Sequence, residues 1–141
     1  MEQHQKKYQL GKKNRLKSRK AIDLLFKDGK SFNTFPFRII YQFLLVDVVT
    51  KAENLQAGFS ASKRNFKKAV HRNRIKRLMR ETYRLQKNEL EQLLLKKNKR
   101  LAIFILYTGK EVPDYDLVNE KMNLILQKLE RITNEKTIAN T

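Results

Sequence analysis

The sequence predicts an α/β sandwich, an α+β chain whose helices pack on a small sheet, and three observations point to it. Two strand-like runs rich in β-branched and aromatic residues, Phe37 to Val49 and Leu101 to Tyr107, flank a helical segment near residues 67–87. That segment carries apolar residues at helical spacing on one side only, so it must lay one face against another layer. The chain has 141 residues, 40% of them hydrophobic, which suits one domain with a modest core. General chain handedness makes a strand–helix–strand connection of this kind right-handed.

The elements follow in order. Residues 1–17 are polar and basic and read as an extended or partly disordered arm. Ser18 is placed to cap a short amphipathic helix carrying Ala21, Ile22, Leu24, Leu25 and Phe26, and Asp28-Gly29 closes it with Gly29 in the C′ position. Pro36 precedes the first strand, and residues 51–54 form a turn into a second strand, Leu55 to Ser62, its expected hairpin partner. Gly58 within that strand marks a bulge or a close approach of another backbone. The main helix follows, either extended or continued by a second piece to Leu95, and Lys96 to Arg100 connect it to the third strand. Leu101 to Tyr107 is almost continuously apolar and is expected to be central and buried. Thr108-Gly109 ends it, and Val112-Pro113-Asp114 turns the chain. Asp116 is placed to cap a last helix with Leu117, Val118, Met122, Leu124, Ile125, Leu129 and Ile132 at helical spacing, and residues 133–141 read as a frayed tail.

Charge narrows the function. The formal net charge is +18, from 32 basic and 14 acidic residues. A small domain needs a magnitude of only about 2–8 for solubility, so the excess implies a polyanionic partner that relieves the self-repulsion. Residues 1–100 carry 27 basic and 8 acidic side chains, whereas residues 101–141 carry 5 and 6. The anion-binding face is therefore built from the first hundred residues. A membrane surface is a poorer match, because the basic region lacks the apolar face with Trp or Phe of an interfacial helix. No apolar run approaches the roughly 20 residues of a membrane helix, and no signal peptide is expected at the Lys-rich start. The sequence has no Cys, which excludes a disulfide framework and a zinc knuckle and fits a reducing, cytoplasmic setting.

The charge concentrates on the main helix. At about 100° per residue, Arg72, Lys76, Arg80, Asn73, Arg84 and Arg77 fall on one arc, while Leu85, Leu78, Ile75 and Met79 fall on the opposite one. Arg74 sits on the border and His71 on the apolar side, where it is expected to be packed. Between Lys63 and Arg84 there are ten basic residues and one acid, Glu81, placed to hold Arg77 and Arg84. A solvated surface helix usually interleaves Glu with its lysines. A guanidinium holds two phosphate oxygens at once and does not titrate, and Asn73 adds a donor and an acceptor. Phe26, Phe37, Phe43, Phe59 and Phe104 are, taken singly, more often core residues than stacking platforms.

The string Lys68-Ala69-Val70-His71-Arg72-Asn73-Arg74-Ile75-Lys76-Arg77, preceded by Ser60-Ala61-Ser62-Lys63-Arg64 and followed by Arg80-Glu81, resembles the signature of the bacterial ribonuclease P protein subunit. Asn14-Arg15-Leu16-Lys17, the stretch Phe26 to Ser31 and the apolar strand also fall in that family's order. The resemblance spans roughly residues 10–132, leaving residues 1–9 as a flexible basic arm and 133–141 as a disordered tail. It implies an α-β-β-β-α-β-α order, a small mixed sheet and a left-handed βαβ crossover, against the right-handed default.

By resemblance, the chain is the accessory protein of an endoribonuclease that removes the 5′ leader of precursor tRNA, with the catalytic groups and most of the Mg²⁺ in the RNA subunit. The implied partners are the catalytic RNA, bound 1:1, and the precursor tRNA leader, with no membrane, no obligate protein partner and no organic cofactor. The implied RNA-contacting set is Lys63, Arg64, Lys68, Arg72, Asn73, Arg74, Lys76, Arg77, Arg80 and Arg84. The implied leader cleft is lined by Arg15, Lys17, Ile22, Phe26 and Tyr41 (or Ile40), with Phe37 nearby. Ile22 stands where the family often has an aromatic, Tyr41 falls one residue beyond the usual strand tyrosine, and Arg64-Asn65-Phe66-Lys67 replaces a Gly-rich stretch.

No catalytic or metal site is expected in the protein itself. Its acids before residue 100 are scattered, and no nucleophile and base stand at a recognisable spacing. A ribosomal or other structural ribonucleoprotein component and a stand-alone nuclease are the competing readings.

Overall fold

The computed structural model describes residues 15–16, 19–44 and 54–139. The elements run α1 (Arg19–Asp28), β1 (Lys30–Thr34), β2 (Phe37–Leu44), β3 (Leu55–Ala61), α2 (Ala69–Gln86), α3 (Asn88–Lys96), β4 (Arg100–Tyr107) and α4 (Tyr115–Ala139). The expected arm at residues 1–9, Ser18 and the stretch 45–53 lie outside the described residues.

The strands form one mixed sheet in the order β1-β2-β4-β3. β2 is antiparallel to both β1 and β4, with Ile40 opposite Ser31 on one side and Phe104 on the other. β3 is parallel to β4, with Gly58 opposite Phe104. The expected hairpin between the Phe37 and Leu55 runs is therefore corrected. Both edges of β2 are already used, one by β1 across the Phe35-Pro36 turn and the other by β4, so β3 pairs with β4 alone. β1 escapes a sequence reading because Lys-Ser-Phe-Asn-Thr carries one large apolar side chain, Phe32.

β4 is central, as its composition predicts, and both of its faces are covered. Leu101, Ile103, Ile105 and Tyr107 point into the main core, with Phe37 and Ile39 of β2, Ile75, Met79 and Tyr83 of α2, Leu90 and Leu94 of α3, and Val118, Met122, Ile125 and Leu129 of α4. Ala102 and Phe104 point the other way, into a second cluster with Leu16, Leu25 and Ile40 beneath α1. The molecule is three layers deep, with α1 on one side of the sheet and α2 to α4 on the other.

Local chemistry sets the helix ends. Asp114 caps α4, accepting from the Leu117 amide at 2.9 Å, in place of the predicted Asp116. The tail predicted from residue 133 is helical through Ala139. Thr133 is fully buried, its hydroxyl donates to the Leu129 carbonyl at 2.8 Å, and the Thr133 carbonyl accepts from the Lys99 ammonium at 3.3 Å. Those contacts hold the helix past the last predicted apolar position. Gly29 follows α1 as predicted, but no glycine among the described residues has a positive φ. Its requirement is space, since a Cβ there would lie 2.5 Å from the Leu25 carbonyl oxygen and 3.0 Å from Ile40.

Gly58 meets the predicted close approach. A Cβ there would lie 2.8 Å from the Phe104 ring and 3.3 Å from the Leu16 carbonyl oxygen. Leu16 donates its amide to Ala57 at 2.9 Å, which pins the segment before α1 onto the edge of β3. A Gly58→Val variant should therefore push on both the ring and that segment, costing about 1–3 kcal/mol from overpacking. Urea unfolding measures it, and an unchanged midpoint would mean that Phe104 gives way freely.

Candidate nucleic-acid interface

The geometry of α2 begins with what it buries. Ile75, Met79, Thr82 and Tyr83 are all completely buried against the sheet and α4. Thr82 satisfies its hydroxyl on the carbonyls of Leu78 (2.9 Å) and Met79 (3.1 Å), so it can stay in the core. The core-facing arc is thus rotated from the predicted one. Leu85 is exposed, Leu78 is half-buried, and Arg72 lies at the edge of the buried arc. His71, predicted to be packed, is exposed together with Ala69 and Val70. The core contacts of α2 start at Ile75, so its first turn projects beyond them.

The outer side of α2 is basic. Asn73, Arg74, Arg77 and Arg80 are exposed and Lys76 is half-buried. Lys63, Arg64, Lys67 and Lys68, on the preceding loop, are exposed as well. Two polar contacts fix that loop against the helix. The Arg72 guanidinium donates through one nitrogen to the carbonyls of Phe66 (2.7 Å) and Lys67 (2.9 Å). The Asn65 amide donates to the carbonyls of Thr108 and Gly109, both at 3.2 Å. Phe66 itself is buried, with its ring 6.0 Å from that of Tyr107. Loop and helix therefore present one continuous cationic surface, and Arg72 does part of its work holding that surface together. Lys68 is the N-cap of α2 and has no side-chain cap of its own, so the Arg72 fold-back organises this end.

Glu81 pairs with Arg84 at 2.6 Å. That hydrogen bond raises the already high pKa of Arg84. Of the two cations predicted to share Glu81, Arg84 is the one paired with it among the described residues, and Arg77 faces solvent. The free positive charge therefore sits nearer the start and middle of α2 than its end.

The second predicted group, the leader cleft, is divided by the sheet. Ile22 and Phe26 lie on the α1 side with Ile40 and Phe104, and the Phe26 and Phe104 rings meet edge to face at 5.2 Å. Phe26 is 48% exposed, so its outer surface is open to a stacking partner. Phe37 and Tyr41 are on the opposite face: Phe37 packs on Tyr107 at 5.3 Å inside the main core, and Tyr41 lies beside Phe32 at 5.9 Å. Burial, then the nearby Glu135 charge, raises the Tyr41 pKa. The structure thus separates Phe37 and Tyr41 from Ile22 and Phe26, and of the two strand residues offered, Tyr41 or Ile40, it puts Ile40 beside α1. Alternation along β2 puts odd-numbered residues on the α4 side, so Ile40 is the residue that faces α1. Lys17 lies outside the described residues.

Arg15 joins the two regions. It forms a parallel bridge to Ala57, and with Leu16, Gly58, Phe59, Lys76 and Arg80 it lines a cleft of about 240 Å³ between the β3 edge and α2. Gly58 lines this cleft and Phe104 lies in the cluster beneath α1, though neither was singled out for a site in the sequence. A glycine opposite an aromatic on the next strand was the available signal. Among the described residues, no three acidic or histidine side chains converge as a metal would require.

Residues 10–130 match the family model described as Ribonuclease P. The chain is 34% identical over 120 residues to the ribonuclease P protein component of Porphyromonas gingivalis, covering 85% of each chain. It is 32% identical over 121 residues to that of Chlorobium phaeobacteroides, covering 81% of this chain and 83% of the relative. In fold it is similar to the RNase P protein of Staphylococcus aureus, with a TM-score of 0.59 at 18% identity over 82% of this chain and 94% of that one.

Proposed function

Because the chain belongs to the ribonuclease P protein component family, we propose that it is the protein subunit of that ribonucleoprotein and supports removal of the 5′ leader from precursor tRNA. The observation that carries the reading is the continuous cationic surface of α2 and its preceding loop, set on a helix whose other side is locked in the core. Lys63, Arg64, Lys68, Asn73, Arg74, Lys76, Arg77 and Arg80 hold the phosphates of the catalytic RNA. Arg72 holds the loop and Arg84 contributes beside its carboxylate partner. The surface beneath α1, with Arg15, Ile22, Phe26, Ile40 and Phe104, takes the single-stranded leader, its bases stacking on Phe26. Mg²⁺ and the hydrolytic step belong to the RNA. The residues described here do not form a site for the ion, and no step is assigned to them. One protein per RNA, without a further protein partner, is sufficient for this reading, and it places the chain in the cytoplasm.

Reconstitution tests it. The purified chain, a bacterial ribonuclease P RNA and precursor tRNA are combined at low Mg²⁺. Leader cleavage that requires the RNA and rises with the protein is expected. No stimulation would reject the reading, and cleavage without RNA would favour a stand-alone nuclease. In the same assay Phe26→Ala should weaken precursor binding by about fivefold to a hundredfold, the worth of one stacked base. Affinity for mature tRNA should stay unchanged. Equal losses for both substrates would remove the leader from this face.

A further inference from the structure

At the end of the sheet where α2 begins, the turn between β1 and β2 presents Phe35, 78% exposed. Single exposed aromatics are ordinary on a protein surface, but this one has a setting. The next residue, Pro36, is buried, and its carbonyl accepts from both the Thr108 amide (2.8 Å) and the Thr108 hydroxyl (3.0 Å). The turn is thereby fastened to the end of β4, and the ring is held out on a fixed base. Beside it opens a cleft of about 580 Å³, with Phe35, Pro36, Tyr107 and Leu117 as its apolar lining and Lys110 and Lys121 as its cations. Glu111 also lines it, while its carbonyl takes the Tyr107 hydroxyl at 2.5 Å.

This cleft adjoins the cationic surface. The Asn65 amide, in the loop that carries Lys63, Arg64, Lys67 and Lys68, donates to the carbonyls of Thr108 and Gly109, and both residues line the cleft. An RNA strand lying on that loop is thereby brought beside the cleft that Phe35 lines. An aromatic plane with lysines at its edge fits a nucleotide, base on the ring and phosphate on the ammonium groups. A bare phosphate has no use for the ring, and the Glu111 carboxylate would oppose it. A base edge, by contrast, carries amino donors that a carboxylate can accept.

We propose that Phe35, Lys110 and Lys121 form a binding site for one unpaired nucleotide, extending the cationic surface past the start of α2. The proposal rests on the reading that the α2 surface binds RNA. The nucleotide comes either from an unpaired position in the catalytic RNA or from the precursor leader, and the test separates these sources.

The full chain is titrated with two probes, a bacterial ribonuclease P RNA and a single-stranded RNA with the leader sequence. Wild type is compared with Phe35→Ala, Phe35→Tyr, a Lys110→Ala/Lys121→Ala pair and Arg77→Ala. Phe35→Ala should weaken binding of one probe by about fivefold to a hundredfold, leave its salt dependence unchanged, and be rescued by Phe35→Tyr. The lysine pair should weaken the same probe and flatten its salt dependence. The probe affected identifies the source. Wild-type affinity of Phe35→Ala for both probes overturns the proposal, as does self-association that disappears in Phe35→Ala while RNA affinity holds. If Arg77→Ala also leaves RNA binding intact, the underlying reading fails with it. If Arg77→Ala weakens binding and Phe35→Ala does not, only the nucleotide site fails. Equal thermal unfolding of Phe35→Ala and wild type confirms that the variant is folded, as the exposure of the ring predicts.

Discussion

Removing three charges from the exposed arc of α2, in a Lys76→Ala/Arg77→Ala/Arg80→Ala variant, is expected to cut affinity for ribonuclease P RNA more than any other surface change. It should also reduce the slope of log affinity against log salt by about 2–3, since each lost phosphate contact withdraws close to one released counterion. The effect on folding should be small. Arg77 and Arg80 are exposed, and the contacts that hold α2 come from Ile75, Met79, Thr82 and Tyr83. Arg72→Ala should behave differently. Its guanidinium is committed to the Phe66 and Lys67 carbonyls, so the substitution loosens the loop that displays four other cations. Its affinity loss should exceed what its own charge explains, and Arg72→Lys should restore only part of it, because the shorter lysine must bring its ammonium to the position that one guanidinium nitrogen now occupies between the two carbonyls. Titrations from 50 to 300 mM salt separate the two behaviours. An unchanged slope in the triple variant would mean that this arc does not touch phosphate.

The contrast between Arg72 and Arg77 shows where sequence reasoning stops. Helical periodicity assigns both to the polar side, and it is right about the side. It carries no information on how the buried arc is centred, which depends on how α2 meets the sheet and α4. Tyr83 and Thr82 are core residues that a binary pattern ranks below leucine, while Leu85 ends in solvent. The sheet repeats the lesson. β4 is legible because a strand buried on both faces must be apolar at nearly every position. The partner of β3 is not, because the choice between β2 and β4 depends on which edges are already occupied. The side of the sheet follows from register: a shift of one residue exchanges Ile40 for Tyr41 and with it the face shared with α1. Motif identity was fully legible, since it is written in consecutive residues. Phe35 was not, because an isolated aromatic takes its meaning from the Thr108 contact that fastens the turn carrying it, some seventy positions away; Gly58 was legible as a close approach, but its partner Phe104 was not.

The largest expected loss of stability lies away from the interface, at the junction of α2 and α3. Lys87 caps the end of α2 and starts α3, and its side chain is 3% exposed. Its ammonium meets the Glu91 carboxylate at 2.6 Å, and Glu91 keeps 18% exposure. A buried ammonium without its counter-charge is costly, so Glu91→Gln should destabilise the fold by about 3 kcal/mol, the lower end of the range for breaking a buried pair, given the partial exposure of Glu91. That is a large share of a total stability of roughly 5–15 kcal/mol and corresponds to a fall in Tm of about 10 °C for a chain of this size. A Lys87→Met/Glu91→Leu variant removes both charges and should recover most of the loss, because the desolvation cost disappears with the attraction. The comparison discriminates. If the double variant is as unstable as Glu91→Gln, the pair contributes net attraction or the site needs polar groups for another reason. The adjacent Tyr83 provides an internal reporter. Its hydroxyl is buried without a hydrogen-bond partner among the described residues, and burial, then the Glu91 charge, pushes its pKa well above the usual value. Removing the Glu91 charge takes away the second of these causes, so phenolate formation should move toward lower pH in both variants, by less than burial alone retains. RNA affinity measured well below the unfolding temperature should stay near wild type, because the exposed cations of the arc, Arg74, Arg77 and Arg80, precede this junction along α2. A loss there at full folding would mean that the junction sets the position of α2 as well as its stability.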